Sequence, residues 1–550
     1  MRDLIIVIAI TVVAIVLRSG QIPLQNEETR RGEFAVEMLR SGDWVTTTQQ
    51  GLPFIDRPPG QYWVLAASFA AAGGVEPGVN AGLSRWTVRA PSLICSLLTA
   101  VLVWWFARRQ WGDLAGLTAG IAYPTMAMVL DMGRVAETEA QFVFLLAATL
   151  LIWQHLYLDR HPPWQHFLIG YAFCALAALT KGTQAPVAFV GMLVLVLVSR
   201  RDWRTLFSPW HVVGIAIFIA IIAIWQVPSF QATGWDGFWR TWFLEASNRT
   251  FLSSGFFTHL LSFPFEFLSQ MLPWSVVLVL FLFPSIRRLF DDEEKVRIRM
   301  LLLSLVPLIV PVWLAAESRL RYVMPALPIF AVLIGIAISK SASLGEECAA
   351  SKWIKIASKA LAIGMVFAVI GSFAISLMAN DSSPSGVRYA AIPVWVAIVQ
   401  AIVGLGAALV TFRVAGQSGE SARRTSVIAG GVFVAVISVC TIVGFEINRT
   451  RNIEALVRDA RALIPGEQLV SLGPAHHQFT FNWGRPIPVV PITQPSADAQ
   501  WRYFVVNRPD DGRDPRHTVP FPWREVTRIE LDRSIGVTTG EAVIIGERLE

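Results

Sequence analysis

Long apolar runs recur along the chain from residue 4 to about residue 446. This repetition restricts the fold more than any single motif. A helix needs roughly 20 mostly apolar residues to cross the hydrocarbon core, and inside that core only helices and closed barrels satisfy every backbone N–H and C=O. The first run is "LIIVIAITVVAIVL", and others centre near residues 98, 122, 148, 173, 191, 219, 277, 307, 331, 367, 401 and 435. They predict a polytopic α-helical membrane protein of about 13 transmembrane helices. A mean hydropathy of +0.52 with 16% charged residues excludes a soluble protein of 550 residues. No small-residue cleavage site follows the first run, which reads as a retained span and not a signal peptide. The cysteines at 95, 174, 348 and 440 imply no disulfide framework. The net charge of +6 does not point to nucleic acid, because the basic residues gather between spans.

Those basic residues set the orientation. With the N-terminus in the cytoplasm, the cytoplasmic loops carry Arg108 and Arg109, Arg200, Arg201 and Arg204, Arg287 and Arg288, Lys352 and Lys355, and Arg423 and Arg424. The opposite loops are poorer, with Arg134, Lys181 and Arg388 nearly alone. Loops 18–87 and 230–265 and the tail from 447 are then extracytoplasmic. The expected organisation is a membrane domain over 1–446 and a small C-terminal extracytoplasmic α/β domain over 447–550. In that tail "IEALVRDARALI" reads as a helix, and "EQLVSLG", "PIPVVPI", "WRYFVVN" and "EAVIIGE" read as strands.

Charged residues in or beside spans are costly, at about 2.5–3.5 kcal/mol each at the bilayer centre, and are rarely idle. "NEETRRGEFAVEMLRSGDW" in the first loop reads as an amphipathic helix with Glu27 and Glu28 leading into Arg30 and Arg31. "FIDRPPGQYW" follows with Asp56 and Arg57. "GRVAETEAQF" brings Arg134, Glu137 and Glu139, "LTKG" brings Lys181, and "ESRLRYVMPALP" brings Glu317, Arg319 and Arg321. "LEASNRTF" and the residues after it bring Glu245, Arg249 and His259. Each has a bland reading. Glu27 and Glu28 suit a helix N-terminus; Lys181 and Arg321 suit snorkelling at span ends; His259, His476 and His477 suit structural roles; the sequons at Asn248 and Asn448 are short patterns. The predicted topology nevertheless sends the separate charges to one side of the membrane, and that convergence favours a site.

Taken in order, these stretches resemble the GT-C glycosyltransferases that use polyprenyl-phosphate sugars, in particular the bacterial aminoarabinose transferases of lipid A and the protein O-mannosyltransferases. The first-loop stretch is similar to the family's Asp-Glu-x-Arg-Tyr pattern and the helix after it. "FIDRPPGQYW", "GRVAETEAQF", "LTKG", "RYVMPALP" and "LEASNRTF" with His259 are similar to five further family patterns. Glu27 and Glu139 stand where the family has Asp, and Asp56-Arg57 where it has Glu-Lys, so these signs are kept while arm lengths change; Arg31 stands where the family has Tyr.

The resemblance implies a GT-C fold and inverting transfer of a sugar from a polyprenyl-phosphate donor to a membrane-proximal acceptor (lipid, glycan or protein), on the extracytoplasmic face of the inner membrane. It implies Glu27 as the carboxylate that deprotonates or orients the acceptor, with Glu28 and Glu139 as partners. Arg57, Lys181 and Arg321 would take up the charge of the donor phosphate, supported by Arg30, Arg134, Glu245 and Arg249. Asp56 and His259 match family positions that can hold a divalent metal, an incomplete set of two ligands; no nucleotide is implied. Two other classes stay open: a transporter or flippase for a lipid-linked precursor, whose charges would line a pathway at mid-depth, and an inactive scaffold.

Overall fold

The computed structural model describes residues 1–74, 83–244, 255–316, 318–345, 347–378, 394–444, 452–464, 469–491, 501–507, 519–531 and 542–549. The chain divides into two compact units. The membrane unit comprises Met1–Arg18, Asp56–Gly60 and Ser92–Phe445, and the second unit comprises Ser19–Ile55, Gln61–Pro91 and Glu446–Glu550. The tail thus forms one unit with most of the first long loop. In chain order the helices include α1 (Arg2–Thr11), α2 (Asn26–Ser41), α3 (Gly60–Ala71), α4 (Arg85–Trp111), α5 (Thr138–Leu158), α6 (Pro163–Lys181), α7 (Gln184–Ser199), α8 (Leu327–Ser341), α9 (Ile453–Ala462) and α10 (His477–Trp483).

This is a multi-pass membrane protein. Among the described residues nine helices are long and apolar enough to span, including Arg85–Trp111, Thr138–Leu158 and Leu320–Ser341, and a pair bent by 110° (Phe256–Ser269 with Trp274–Leu282) makes ten if it is one span. The remaining apolar runs are shorter or less apolar than expected. Near residue 122 the run is interrupted by a 3-10 turn over Tyr123–Thr125, where Pro124 cannot continue a helix. Near 191, α7 has only 16 residues, and α6 carries Gln165, His166 and Lys181 toward its ends.

Inside the membrane unit, α5 and α6 pack along one another, joined by only Asp159–Pro162, so they run antiparallel. That brings the N-terminus of α5 beside the C-terminus of α6. Trp153, Phe142, Phe167 and Phe189 fill the core between them and α7, each fully buried. Gly182 ends α6 with φ +85°, a conformation that favours glycine.

The second unit holds a five-stranded sheet. Its strands are β1 (Leu469–Leu472), β2 (Val489–Val490), β3 (Tyr503–Asn507), β4 (Trp523–Glu530) and β5 (Ala542–Arg548), in spatial order β2-β1-β3-β5-β4. β1 pairs parallel with β2 and β3, and β5 pairs antiparallel with β3 and β4. Four strands and α9 fall where the sequence pattern puts them. The edge strand β4, "WREVTRIE", escapes the pattern because it is mostly solvated and carries charges on both faces. α2 packs against α10 so closely that a Cβ on Gly32 would lie 2.5 Å from the Phe481 ring.

Candidate active site

The chemistry-bearing residues form two constellations, one in each unit. In the membrane unit, Glu139 is the second residue of α5 and Lys181 the last of α6, and the antiparallel packing joins them: Lys181 Nζ donates to Glu139 Oε1 at 2.9 Å. Arg321, in the 3-10 segment Leu320–Ala326 that leads into α8, places Nε 3.4 Å from the same oxygen and Nη1 on Glu137 Oε2. Arg57 contributes a third positive charge to the field at Glu139 and Lys181, with Asp56 Oδ2 3.7 Å from its Nε. Lys181 also lies over the rings of Tyr322 and Phe142, with Nζ 4.8 and 5.5 Å from their centroids.

Neutral hydrogen bonds fix the surroundings. Gln141 donates to Gly60 O at 3.2 Å and to Thr180 Oγ1 at 3.1 Å, and Gln184 donates to Tyr322 O at 3.0 Å. Gly60, after the paired prolines, is required by space: a Cβ there would lie 2.7 Å from Leu179 O. Arg57, Lys181 and Arg321 therefore converge as the sequence predicts. Their mutual repulsion is offset within the protein, because Asp56, Glu137 and Glu139 supply three carboxylates. Glu137, which the sequence places among the converging charges without a role, is the partner of Arg321; its signal is the doubled acid of "ETE", two residues apart at the mouth of a span.

In the second unit, Glu27 sits in the first turn of α2, bound by Arg30 Nη1 at 2.9 Å and Arg31 Nη2 at 3.3 Å, with its side chain 25% exposed. Arg31 donates its other Nη to the Tyr62 hydroxyl at 2.6 Å. Glu28 is different. It is wholly buried, its two oxygens take Arg89 Nε and Nη2 at 2.7 and 2.5 Å, and Oε2 also accepts from Gln25 N, closing a capping box. Arg89 in turn donates to the carbonyls of Ser19, Ile22 and Pro23. Glu28 is thus tied into the fold of the loop, and its fork partner Arg89 carried no sequence signal.

The remaining candidates are placed as follows. Arg134 donates to Leu130 O and Ser438 Oγ, pinning helices within the membrane unit. His476 caps α10, and His477 shares a 2.9 Å hydrogen bond with Thr29. Burial, reinforced by Arg30, lowers the His476 imidazole to about 4, and burial lowers His477 as well, so both are neutral. Glu245 and Arg249 lie outside the described residues. His259 packs its ring against Phe263.

The fold has relatives. Residues 56–225 match the dolichyl-phosphate-mannose-protein mannosyltransferase family. An undecaprenyl phosphate-alpha-4-amino-4-deoxy-L-arabinose arabinosyl transferase of Sodalis glossinidius is 31% identical over 33% of this chain and 32% of its own length. One from Pseudomonas aeruginosa is 25% identical over 60% of this chain and 59% of its own. The chain therefore spans between a third and three-fifths of the length of these curated relatives. Solved structures reach further. ArnT from Cupriavidus metallidurans in the apo state covers 98% of this chain and 97% of its own, at 19% identity and TM-score 0.69. The same protein bound to undecaprenyl phosphate gives TM-score 0.67. The chain has the GT-C fold of ArnT.

Among the described residues no group of three or more His, Cys, Asp or Glu side chains could hold an ion. Arg57 beside Asp56 also opposes a divalent cation there.

Proposed function

We propose that the chain is an inverting glycosyltransferase, moving a sugar from a polyprenyl-phosphate donor to an extracytoplasmic acceptor at the inner membrane. The observation that carries this reading is the cluster of Arg57, Lys181 and Arg321 with Glu137 and Glu139, at one end of spans arranged in the GT-C fold. The relatives named above supply the donor class, undecaprenyl phosphate.

An acceptor oxygen attacks the anomeric carbon from the face opposite the phosphate. The carbon–oxygen bond to phosphate breaks, and the polyprenyl phosphate leaves with the electron pair. Charge grows on the leaving phosphate, and Arg321 and Arg57, at 17% and 16% side-chain exposure, are the cations it can reach. Lys181, at 3%, holds Glu139 and fixes the floor of the cluster. A phosphate oxygen would displace the Glu137 carboxylate from Arg321, trading one anion for another without stranding a charge. Glu27 is the proposed carboxylate that orients the acceptor hydroxyl or takes its proton. Its place in the first-loop pattern and its partial exposure support it over the sealed Glu28.

The transporter alternative asks for charges at mid-depth, whereas Glu139 and Lys181 stand at helix ends. Purified protein incubated with radiolabelled polyprenyl-phosphate sugars and an envelope extract tests the proposal. Label moving to an acceptor with inverted configuration supports it; label that crosses a vesicle membrane without transfer refutes it.

A further inference from the structure

The second unit contains a cavity of about 520 Å³, on the scale of ligand pockets, which run roughly from 300 to 1,000 Å³. One wall is α2, with Glu33, Glu37 and Arg40. The others come from the loop at Thr48–Gly51, from α10 with Phe481, and from the turn at Arg485. Glu33 is 5% exposed; Thr480 hydrogen-bonds to its carboxyl, and among the described residues Oε2 is left without a partner. A buried carboxyl with an unmade hydrogen bond costs stability unless something outside the fold completes it. Burial raises this carboxyl to about 8, so at neutral pH it is an acid with a proton to donate.

The remaining lining limits the ligand's chemistry. Arg40 and Arg485 line the same space as Glu37 and Asp43, so an anion meets two carboxylates and an amine meets two guanidiniums. A ligand without net charge that offers donors and acceptors on every side suits all four. Phe481 and Ile487 add an apolar surface of the kind that C–H faces cover. Neutral polyols with one apolar face are sugars.

We propose that this cavity is a saccharide-binding site that takes neutral sugar rings, with Glu33 donating to a ring or hydroxyl oxygen. It gives the second unit a ligand of its own, whatever reaction the membrane unit performs. The test is saturation-transfer NMR on the full chain in phosphatidylcholine nanodiscs, with methyl β-glucopyranoside, galacturonic acid, glucosamine and inorganic phosphate as probes.

Transfer to the neutral glycoside is expected, weakened about tenfold in Arg485→Gln, the scale of one lost hydrogen bond. Glu33→Leu separates binding from folding: it removes the unmatched polar group, so its melting temperature should be kept or raised while glycoside binding is lost. No transfer to the glycoside, transfer only to the charged probes, or binding unchanged in both variants overturns the proposal. Adding a glucosyl diacylglycerol to the disc identifies the source. Competition with the soluble probe marks a membrane-borne glycan, and lack of competition marks a soluble one; either supports a sugar site. The readout is binding, so it holds or fails independently of transferase activity.

Discussion

Lys181 and Glu139 meet at 2.9 Å with 3% and 2% of their side chains exposed, closing the ends of two antiparallel helices. Neither charge has water to fall back on. The pair is held by geometry: Thr138 and Arg321 engage the Glu139 carboxylate from other sides, and the Tyr322 ring lies beside the ammonium. An ion pair this deep adds little net stability, but the loss of one partner leaves the other buried and uncompensated.

The first prediction follows from that asymmetry. Lys181→Met or Glu139→Gln alone should destabilise the chain by about 3–5 kcal/mol. The double variant should melt closer to the parent while remaining inactive, because the site has lost its floor. Thermal unfolding in detergent, with a transfer assay beside it, checks both halves. Additive destabilisation in the double variant would show that the two charges do not depend on each other.

Glu137 and Arg321 make the second case. If a donor phosphate displaces Glu137, then Glu137→Gln should bind the donor more tightly, since one competing anion is gone, while Arg321→Gln should bind it more weakly. The expected split is a lower KM for Glu137→Gln and a higher KM with lower kcat for Arg321→Gln. An increase in KM for Glu137→Gln would make that carboxylate part of the binding surface and not a stand-in for phosphate.

How much of this was legible follows from where each signal sits. Glu139, Lys181 and Arg321 announce themselves because a charge at the mouth of an apolar run is conspicuous and the flanking motifs give their order. The pairing of Glu137 with Arg321 spans 184 residues and depends on helix packing, which periodicity does not encode. Glu28 looks like a catalytic neighbour of Glu27 because adjacent acids look alike in sequence; its burial against Arg89, 61 residues on, is a packing relationship that the sequence does not announce. Arg134 reads as a site charge, and its hydrogen bonds to Leu130 O, Ala14 O and Ser438 Oγ are packing relationships that periodicity does not encode. The run near residue 122 read as one span because hydropathy averages over the break at Pro124.

Glu33 gives a pH prediction. Burial is the main cause that lifts its carboxyl from 4.5 to about 8; Glu37 adds to the rise, and Thr480, Arg30 and Arg40 oppose it. Asp43 and Arg485 face the same cavity. Below pH 4.5 the group is protonated both folded and unfolded and does not affect stability. Between 4.5 and about 8 the unfolded chain releases the proton and the folded chain keeps it, so stability falls as pH rises and levels off above that window. The full effect is on the order of a few kcal/mol. Glu33→Gln should remove this part of the slope. Melting curves from pH 5 to 9 that stay parallel for parent and variant would mean that native Glu33 is ionised.

The sharpest contrast is between the neighbours Glu27 and Glu28. Glu27→Gln keeps the shape of a partly exposed side chain, so the protein should fold and insert normally while transfer falls by a factor of about 100 or more, the scale of lost acid–base or orienting catalysis. Glu28→Gln should do the reverse. It strands Arg89 inside the second unit, with its fork half broken, and should lower the melting temperature and yield while the surviving folded protein still turns over. Arg89→Lys should not rescue the loop, because one ammonium cannot serve a carboxylate fork and three carbonyls at once. Turnover per folded molecule is the quantity to measure, with folded protein counted by size exclusion. If Glu27→Gln turns over normally, the acceptor needs no proton removed, as a phosphate acceptor would not. If Glu28→Gln folds well and is inactive, the reacting carboxylate is Glu28, and the loop around Arg89 must open to expose it.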